Sequence, residues 1–268
     1  MKRIFKNEDW KENWKSTYIY DLLEVYNETD EDLGYAYAYE NRRNHTLELV
    51  KSVVRPGDKI LDVAAAQGNF SLLLAELGYN VTWNDIRADM AEYVQMKYEK
   101  GEIQYVPGNV FEVNFEYLFD LILATEIIEH VAHPDEFLQN LATLVKPNGY
   151  IVISTPLGSY FKNNLPKFTE FENPEIFEKD QFKPNSDGHI FLIHLNEMLE
   201  LSKKAGLEVV SKIIYTNPIT NGHMGLKFLL KILPKHLVFK LDALTQKLPL
   251  TISKRIHTNF AVLLKKSG

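Results

Sequence analysis

Two carboxylates and two histidines stand at spacings suited to chemistry. Asp62 lies in a short apolar run, 60–63, and the small-residue loop AAAQG follows it and opens a helix at Gly68. Asp85 ends a second alternating run, 80–84, seventeen residues after Gly68. Strand, tight loop, helix and a second strand ending in an acid form the unit that sets a carboxylate against ribose hydroxyls in a doubly wound sheet. His130, in TEIIEHV, and His189, in SDGHIF, are candidates for a base or for a group that orients an acceptor. Each also has a structural reading, as a histidine that fixes its own loop.

The loop separates two classes of cofactor. A pyrophosphate needs close backbone approach at several glycines, whereas here Ala64 and Ala66 stand where further glycines would be. A carboxylate inside the turn, Asp62, repels phosphate but suits a ligand that carries an ammonium and a sulfonium. Nicotinamide dinucleotides are thereby disfavoured. Taken singly, Asp62 could equally satisfy a helix N-terminus and Asp85 merely end a strand. Their joint spacing favours the ligand.

At these residues the chain resembles the class I methyltransferases that use S-adenosylmethionine (SAM), with two of the family's alternating glycines replaced by alanine. The stretch TEIIEHVAHPDEFLQNLATLVKPNGYIVISTP is similar to the ubiquinone-biosynthesis and small-molecule O-methyltransferase branch in its EHV, HP and LVKPNG elements. The likeness is continuous over 55–156. It implies that Asp62, Ala64 and Gly68 hold the methionine end of SAM, that Asp85 takes the ribose, and that Ile86, Gly108, Asn109 and Val110 surround adenine. Met90, Thr125 and Glu126 complete the expected cofactor site, and Thr125, Glu126 and the Glu129–His130 pair face the same crevice beyond the strand ends. His130 and His189 compete for the role of base, His194 lies near a helix entrance capped by Asn196, and no metal site is expected from the spacing.

These residues need a scaffold, which periodicity outlines. Strands are expected over 60–63, 80–84, 103–106, 119–124, the run into STP, 207–215 and 257–265, with helices between them. The first of these helices buries Phe70, Leu73, Leu74 and Leu77, and the next spans 88–100. With these elements the resemblance implies an α/β fold class: a Rossmann-like doubly wound sheet of seven strands, mostly parallel with an antiparallel last strand. Residues 1–50 form an N-terminal helical cap, with Trp10, Trp14 and Tyr18 on one face and Tyr35, Tyr37 and Tyr39 leading into a second helix. In the resemblance this cap covers the cofactor, which makes Tyr39, Arg42 and Arg43 candidate acceptor contacts; a packing helix with a solvated basic face is the preferred reading. The SAM-binding domain is 51–216 with 257–268. Residues 157–188 lack a period and read as a lid over the acceptor.

Residues 217–256 are an insertion between the last two strands. Over 222–257 seven cations, Lys227 to Arg255, face one acid, Asp242, in a chain whose net charge is -6. Pro234 and Pro249 break an amphipathic helical pattern there. Such a segment can lie on an anionic membrane surface, pack with a solvated lysine face, or form a dimer contact. The acidic balance argues against nucleic acid as a partner. The absence of cysteine excludes disulfides, thiolate nucleophiles and cysteine metal sites. With a charged N-terminus and no long apolar run, the expected location is the cytoplasm, with peripheral membrane contact through 222–257 as an option. The expected function is transfer of a methyl group from SAM to a small-molecule, sugar or lipid-linked acceptor, as an O-methylation. The alternative is a SAM-fold scaffold without catalysis.

Overall fold

The structure is a computed structural model describing residues 1–26, 28, 32–181 and 188–268. Among these residues, seven strands form one sheet in the order β3-β2-β1-β4-β5-β7-β6. They are β1 (Lys59–Val63), β2 (Asn80–Asn84), β3 (Glu102–Tyr105), β4 (Phe119–Thr125), β5 (Val145–Pro156), β6 (Leu207–Tyr215) and β7 (Asn259–Lys266). The first five run parallel, and β7 is antiparallel to both β5 and β6. Strand order reverses between β1 and β4, so the crevice of a doubly wound sheet opens beyond Val63, Asn84 and Thr125.

Alternation along the strands explains the layers. Leu61, Val63, Ile122 and Ile151 point to one face, against α5 (Pro134–Leu144) and α6 (Leu195–Lys204). Ile60, Leu121, Leu123 and Val152 point to the other, against α2 (Leu33–Val53) and α3 (Asn69–Glu76). With both faces covered, the central strands are buried nearly throughout. A third cluster joins α1 (Glu12–Glu24) to α4 (Met90–Lys97): Trp10 and Trp14 meet Tyr93 edge to face, with centroids 5.8 Å apart in each pair.

Several expectations change. The GYAYAYENRR stretch lies inside α2 rather than before it, and α2 runs on to Val53. The helix expected over 88–100 is confined to Met90–Lys97, since Tyr98 turns to extended backbone at φ -62° and ψ 136°; beyond it Gly101 passes so close to α3 that a Cβ there would lie 2.1 Å from the Ala75 carbonyl oxygen. Leu77 is exposed, and Leu72, which the expected stripe left out, is buried on another face of α3 in the cluster with Trp83, Met90 and Val94. The short strand that the resemblance implies after His189 does not form; residues 189–194 are irregular, pinned where Ile190 N–H donates to Glu129 O and Gly158 N–H donates to Ile193 O. The cap of α6 is His194, whose N–H donates to Glu197 Oε2, while Asn196 lies within the helix.

The stretch after β5 is not an unstructured loop. It holds 3-10 turns at Phe168–Glu170 and Pro174–Asp180, and Phe168, Phe171 and Phe177 pack around Phe191 at centroid distances of 5.1 to 5.7 Å. Part of the expected lid, 182–187, lies outside the described residues. The insertion folds as α7 (Lys227–Ile232), α8 (Lys235–Gln246) and α9 (Leu250–Ile256), and Pro234 and Pro249 stand at the N-caps of the last two. Its one acid turns inward: Asp242 is buried and accepts from Asn41 Nδ2, Asn217 N and Gln246 Nε2, tying α8 to α2 and to the end of β6.

Candidate functional site

The β1–α3 loop keeps a glycine-type backbone without the glycines. Ala64 has φ 53° and Ala66 has φ 47°, both in the left-handed region, and Gly68 follows at φ 70°. Each alanine there costs about 1–2 kcal/mol relative to the right-handed region. A side chain at Gly68 is opposed by packing as well as by backbone, since a Cβ would stand 2.6 Å from Val94 Cγ1 and force it to shift. The loop's shape is held from β2: Ala65 N–H donates to Asn84 O, Ala66 N–H to Asp85 Oδ2, and Trp83 Nε1 to Ala66 O.

The two sequence carboxylates are both buried and both occupied. Asp62 Oδ2 accepts from Ser71 Oγ at 2.5 Å, which ties the strand end to the first turn of α3. Burial pushes the Asp62 carboxyl up to about 7, against the pull of the Ser71 hydrogen bonds. Asp85 accepts from Ala66 N, Arg87 N and the Arg87 guanidinium. Ile86 beside it is 63% exposed, a free apolar surface at the rim. Gly108 is drawn in by its N–H to Asp85 O and by Asn84 Nδ2 to its carbonyl. Asn109 makes a local turn, accepting from Phe111 N and donating to Glu112 Oε1. Val110 and Met90 are buried in the core, and Met90 has no exposed surface at all.

The second group lies across the crevice, beyond β4. Glu126, at φ 52°, accepts from Ser154 Oγ and pairs with Arg42 Nη1 at 3.0 Å. Arg42 is thus no solvated base: burial opposes its charge, but Glu126, Tyr35 and Glu24 outweigh it and keep the guanidinium protonated. With Tyr35 and Tyr39 it presents one face of α2 to a cleft of about 660 Å³, which Glu126, Tyr160 and His189 also line. The spacing i, i+4, i+7 was the available signal for that face. Arg43, Asp62 and Asp85 are not among the lining residues.

Beside this cleft, Glu129, His130 and His189 converge. The imidazole rings lie 4.9 Å apart, and Glu129 Oε1 is 4.0 Å from His130 Nε2 and 3.9 Å from His189 Nε2. Glu129 is wholly buried; Oε2 accepts from Thr155 Oγ1, whereas Oε1 has no hydrogen-bond partner. Burial, then the charge of Glu126, pushes the Glu129 carboxyl well above the usual carboxylate range. One atom from each of the three residues falls within 4.8 Å of the others, a donor set that can hold a metal ion. The spacing hid it, since the histidines come from separate segments. Glu24 was also not legible: its carboxylate accepts from Tyr35 Oη, Gln67 Nε2 and Asn69 Nδ2, joining the N-terminal cap to the loop.

A family profile described as a methyltransferase domain matches residues 35–212. A ubiquinone biosynthesis O-methyltransferase of Rickettsia prowazekii is 34% identical over 118 residues, 42% of this chain and 47% of that protein. The mitochondrial protein of that name from Schizosaccharomyces pombe is 37% identical over 105 residues, 37% of this chain and 38% of that protein. The matched stretch thus spans less than half the length of either relative. Among solved structures, phosphoethanolamine N-methyltransferase 2 of Haemonchus contortus in complex with SAM shares the fold, with a TM-score of 0.54 at 18% identity over 92% of this chain and 60% of that one. The matched span contains the positive-φ loop, both buried acids and the Glu129–His130–His189 cluster, and the chain belongs to the methyltransferase-domain family, in its class I SAM-dependent branch.

Proposed function

We propose that this protein transfers the methyl group of SAM to a hydroxyl of a small-molecule acceptor bound in the cleft. The observation that carries the reading is the Glu129–His130–His189 cluster, set at the cleft edge beyond the same strand ends that present Asp62 and Asp85. SAM supplies a methyl group already activated by a sulfonium, so the protein's work is alignment and exclusion of water.

The loop fits that cofactor in its conformation and in its small side chains. Ala64, Ala66 and Gly68 leave backbone accessible, Asp62 braces the loop through Ser71, and Asp85 offers its carboxylate to ribose once Arg87 yields. Ile86, Gly108 and Asn109 supply the adenine edge, and Thr125 and Glu126 the side nearest the acceptor. Val110 and Met90 act from behind, as packing. The backbone at both alanines weighs against the scaffold reading, whose motive was the missing glycines. The names of the curated relatives support oxygen as the accepting atom. Sugar and lipid-linked acceptors suit the same cleft, whose wall includes Asn221 and Lys227 of the basic insertion.

His189 faces the cleft and is the better placed base, with His130 packed against its ring. A second reading rests on Glu129 Oε1, buried without a hydrogen bond between the two imidazoles: a divalent cation held by Glu129, His130 and His189 would polarise the hydroxyl in place of a histidine base. One experiment separates them. Methyl transfer from labelled SAM to a panel of phenols and hydroxylated sugars is measured for wild type, Glu129→Gln and His189→Ala, with and without chelator. Activity that survives chelation and falls in His189→Ala supports the base. Loss on chelation with recovery on adding magnesium or zinc supports the cation. No transfer to any acceptor by protein that binds SAM would count against the oxygen acceptor.

A further inference from the structure

The outer face of the insertion combines exposed apolar side chains with lysines in a way that core packing does not require. In α7, Leu230 is buried beneath while Phe228 and Ile232 are 57% and 71% exposed one turn apart, with Lys231 between them. In α8, Val238 and Asp242 face inward, leaving Lys240, Leu244 and Lys247 on the opposite side at i, i+4 and i+7. In α9, Ser253 is buried and Leu250 and Ile252 are each 49% exposed.

Charge on this face has one sign. Asp242 is turned inward, and among the described residues Lys231, Lys240, Lys247 and Arg255 make no ion pair. Lys227 and Lys235, which do, pair with Asp32 and Glu40 at the border with the cap. The apolar patch continues onto the segment after β5: Phe161 is 48% exposed, and its N–H donates to Arg255 O. The same insertion walls the cleft through Asn221, His223 and Lys227.

We propose that α7, α8 and α9 form a docking surface for an anionic lipid bilayer, seating the cleft mouth against the membrane. The cationic face complements anionic headgroups, and Phe228, Ile232, Leu250 and Ile252 enter the headgroup and acyl boundary. None of the helices crosses the bilayer, since among the described residues no helix is long and apolar enough to do so. The surface stands apart from the proposed chemistry, because vesicle binding needs neither cofactor nor acceptor.

Cosedimentation of the full chain with phosphatidylcholine vesicles, with and without phosphatidylglycerol, tests it. Binding is expected only with the anionic lipid, and high salt should release the protein. Phe228→Ser with Ile232→Ser should abolish it, and Lys231→Glu, Lys240→Glu and Lys247→Glu together should weaken it by more than about tenfold. All these side chains are exposed, and calorimetric SAM binding in the same variants should match wild type, which separates this surface from the cofactor site. Absent binding, or equal binding to both vesicle types, overturns the proposal. So does a concentration-dependent dimer that the Phe228 and Ile232 changes abolish, which would assign the face to a second copy of the chain.

Discussion

The Arg87 guanidinium grips both oxygens of the Asp85 carboxylate, Nε to Oδ1 at 2.9 Å and Nη2 to Oδ2 at 3.1 Å. In the proposed cofactor site the ribose hydroxyls of SAM would take those oxygens, so arginine and cofactor would compete for them. Arg87 is half exposed, so solvent can take its guanidinium when a ligand displaces it. Arg87→Ala is therefore expected to tighten S-adenosylhomocysteine binding by at least about two- to fivefold, the worth of a surface ion pair, since the Asp85 side of this one is buried. Asp85→Ala should abolish it in the same titration. Weaker binding in Arg87→Ala would mean that the guanidinium orients Asp85 instead of masking it.

Ala64 and Ala66 hold left-handed backbone that glycine adopts freely. Replacing either by glycine relieves about 1–2 kcal/mol of strain and gives back about 0.5–1 kcal/mol of chain entropy. Each substitution should raise the melting temperature by about 2 °C. A fall would show that the alanine methyl makes packing worth more than the strain.

Asp62 couples stability to pH. Its folded value, about 7, lies above the ordinary carboxylate value, so the folded state binds the extra proton. The sign follows: this group's contribution is intact below about pH 4 and is lost as pH rises to about 7. Asp62→Asn keeps an acceptor for Ser71 and removes the charge. It should melt higher than wild type at pH 8, by roughly 2–4 kcal/mol in stability, with the gap narrowing as pH falls towards 4. A gap independent of pH would show that Asp62 does not titrate in that window.

Lys97 and Asp21 form an ion pair with no exposed surface on either side chain, 2.8 Å apart, with Asn69 and Tyr93 completing the hydrogen bonds. It joins α1, α4 and the first residue of α3. Asp21→Ala leaves a buried ammonium without its counter-ion, and unfolding by urea should show a loss of about 3–5 kcal/mol. Asp21→Ala with Lys97→Met should recover much of it. Additive losses in the double variant would show that the two side chains act independently.

Much of this protein was legible in one dimension because its determinants are local. The alternation of β1 and β2, the helix opened by Gly68, the acid at Asp85 and the prolines that break the insertion each follow from neighbours a few residues apart, and the structure keeps them at or within a few residues of those positions. The arrangement of the seven strands followed from the same patterns with a family resemblance.

What only tertiary structure decided depends on groups distant in sequence. Arg42 reads as a surface base until Glu126 is placed 3.0 Å away. Glu129 is unremarkable until the fold buries one of its oxygens without a hydrogen bond beside His130 and His189. Ala64 and Ala66 look like lost glycines until the hydrogen bonds that Ala65 N–H donates to Asn84 O and Ala66 N–H to Asp85 Oδ2 are seen to hold the loop in the glycine conformation. Residue type and spacing determine which secondary elements form, because those are short-range sterics and burial. Charge state, strain and convergence arise from which distant groups share one desolvated volume, and that is settled only when the sheet assembles.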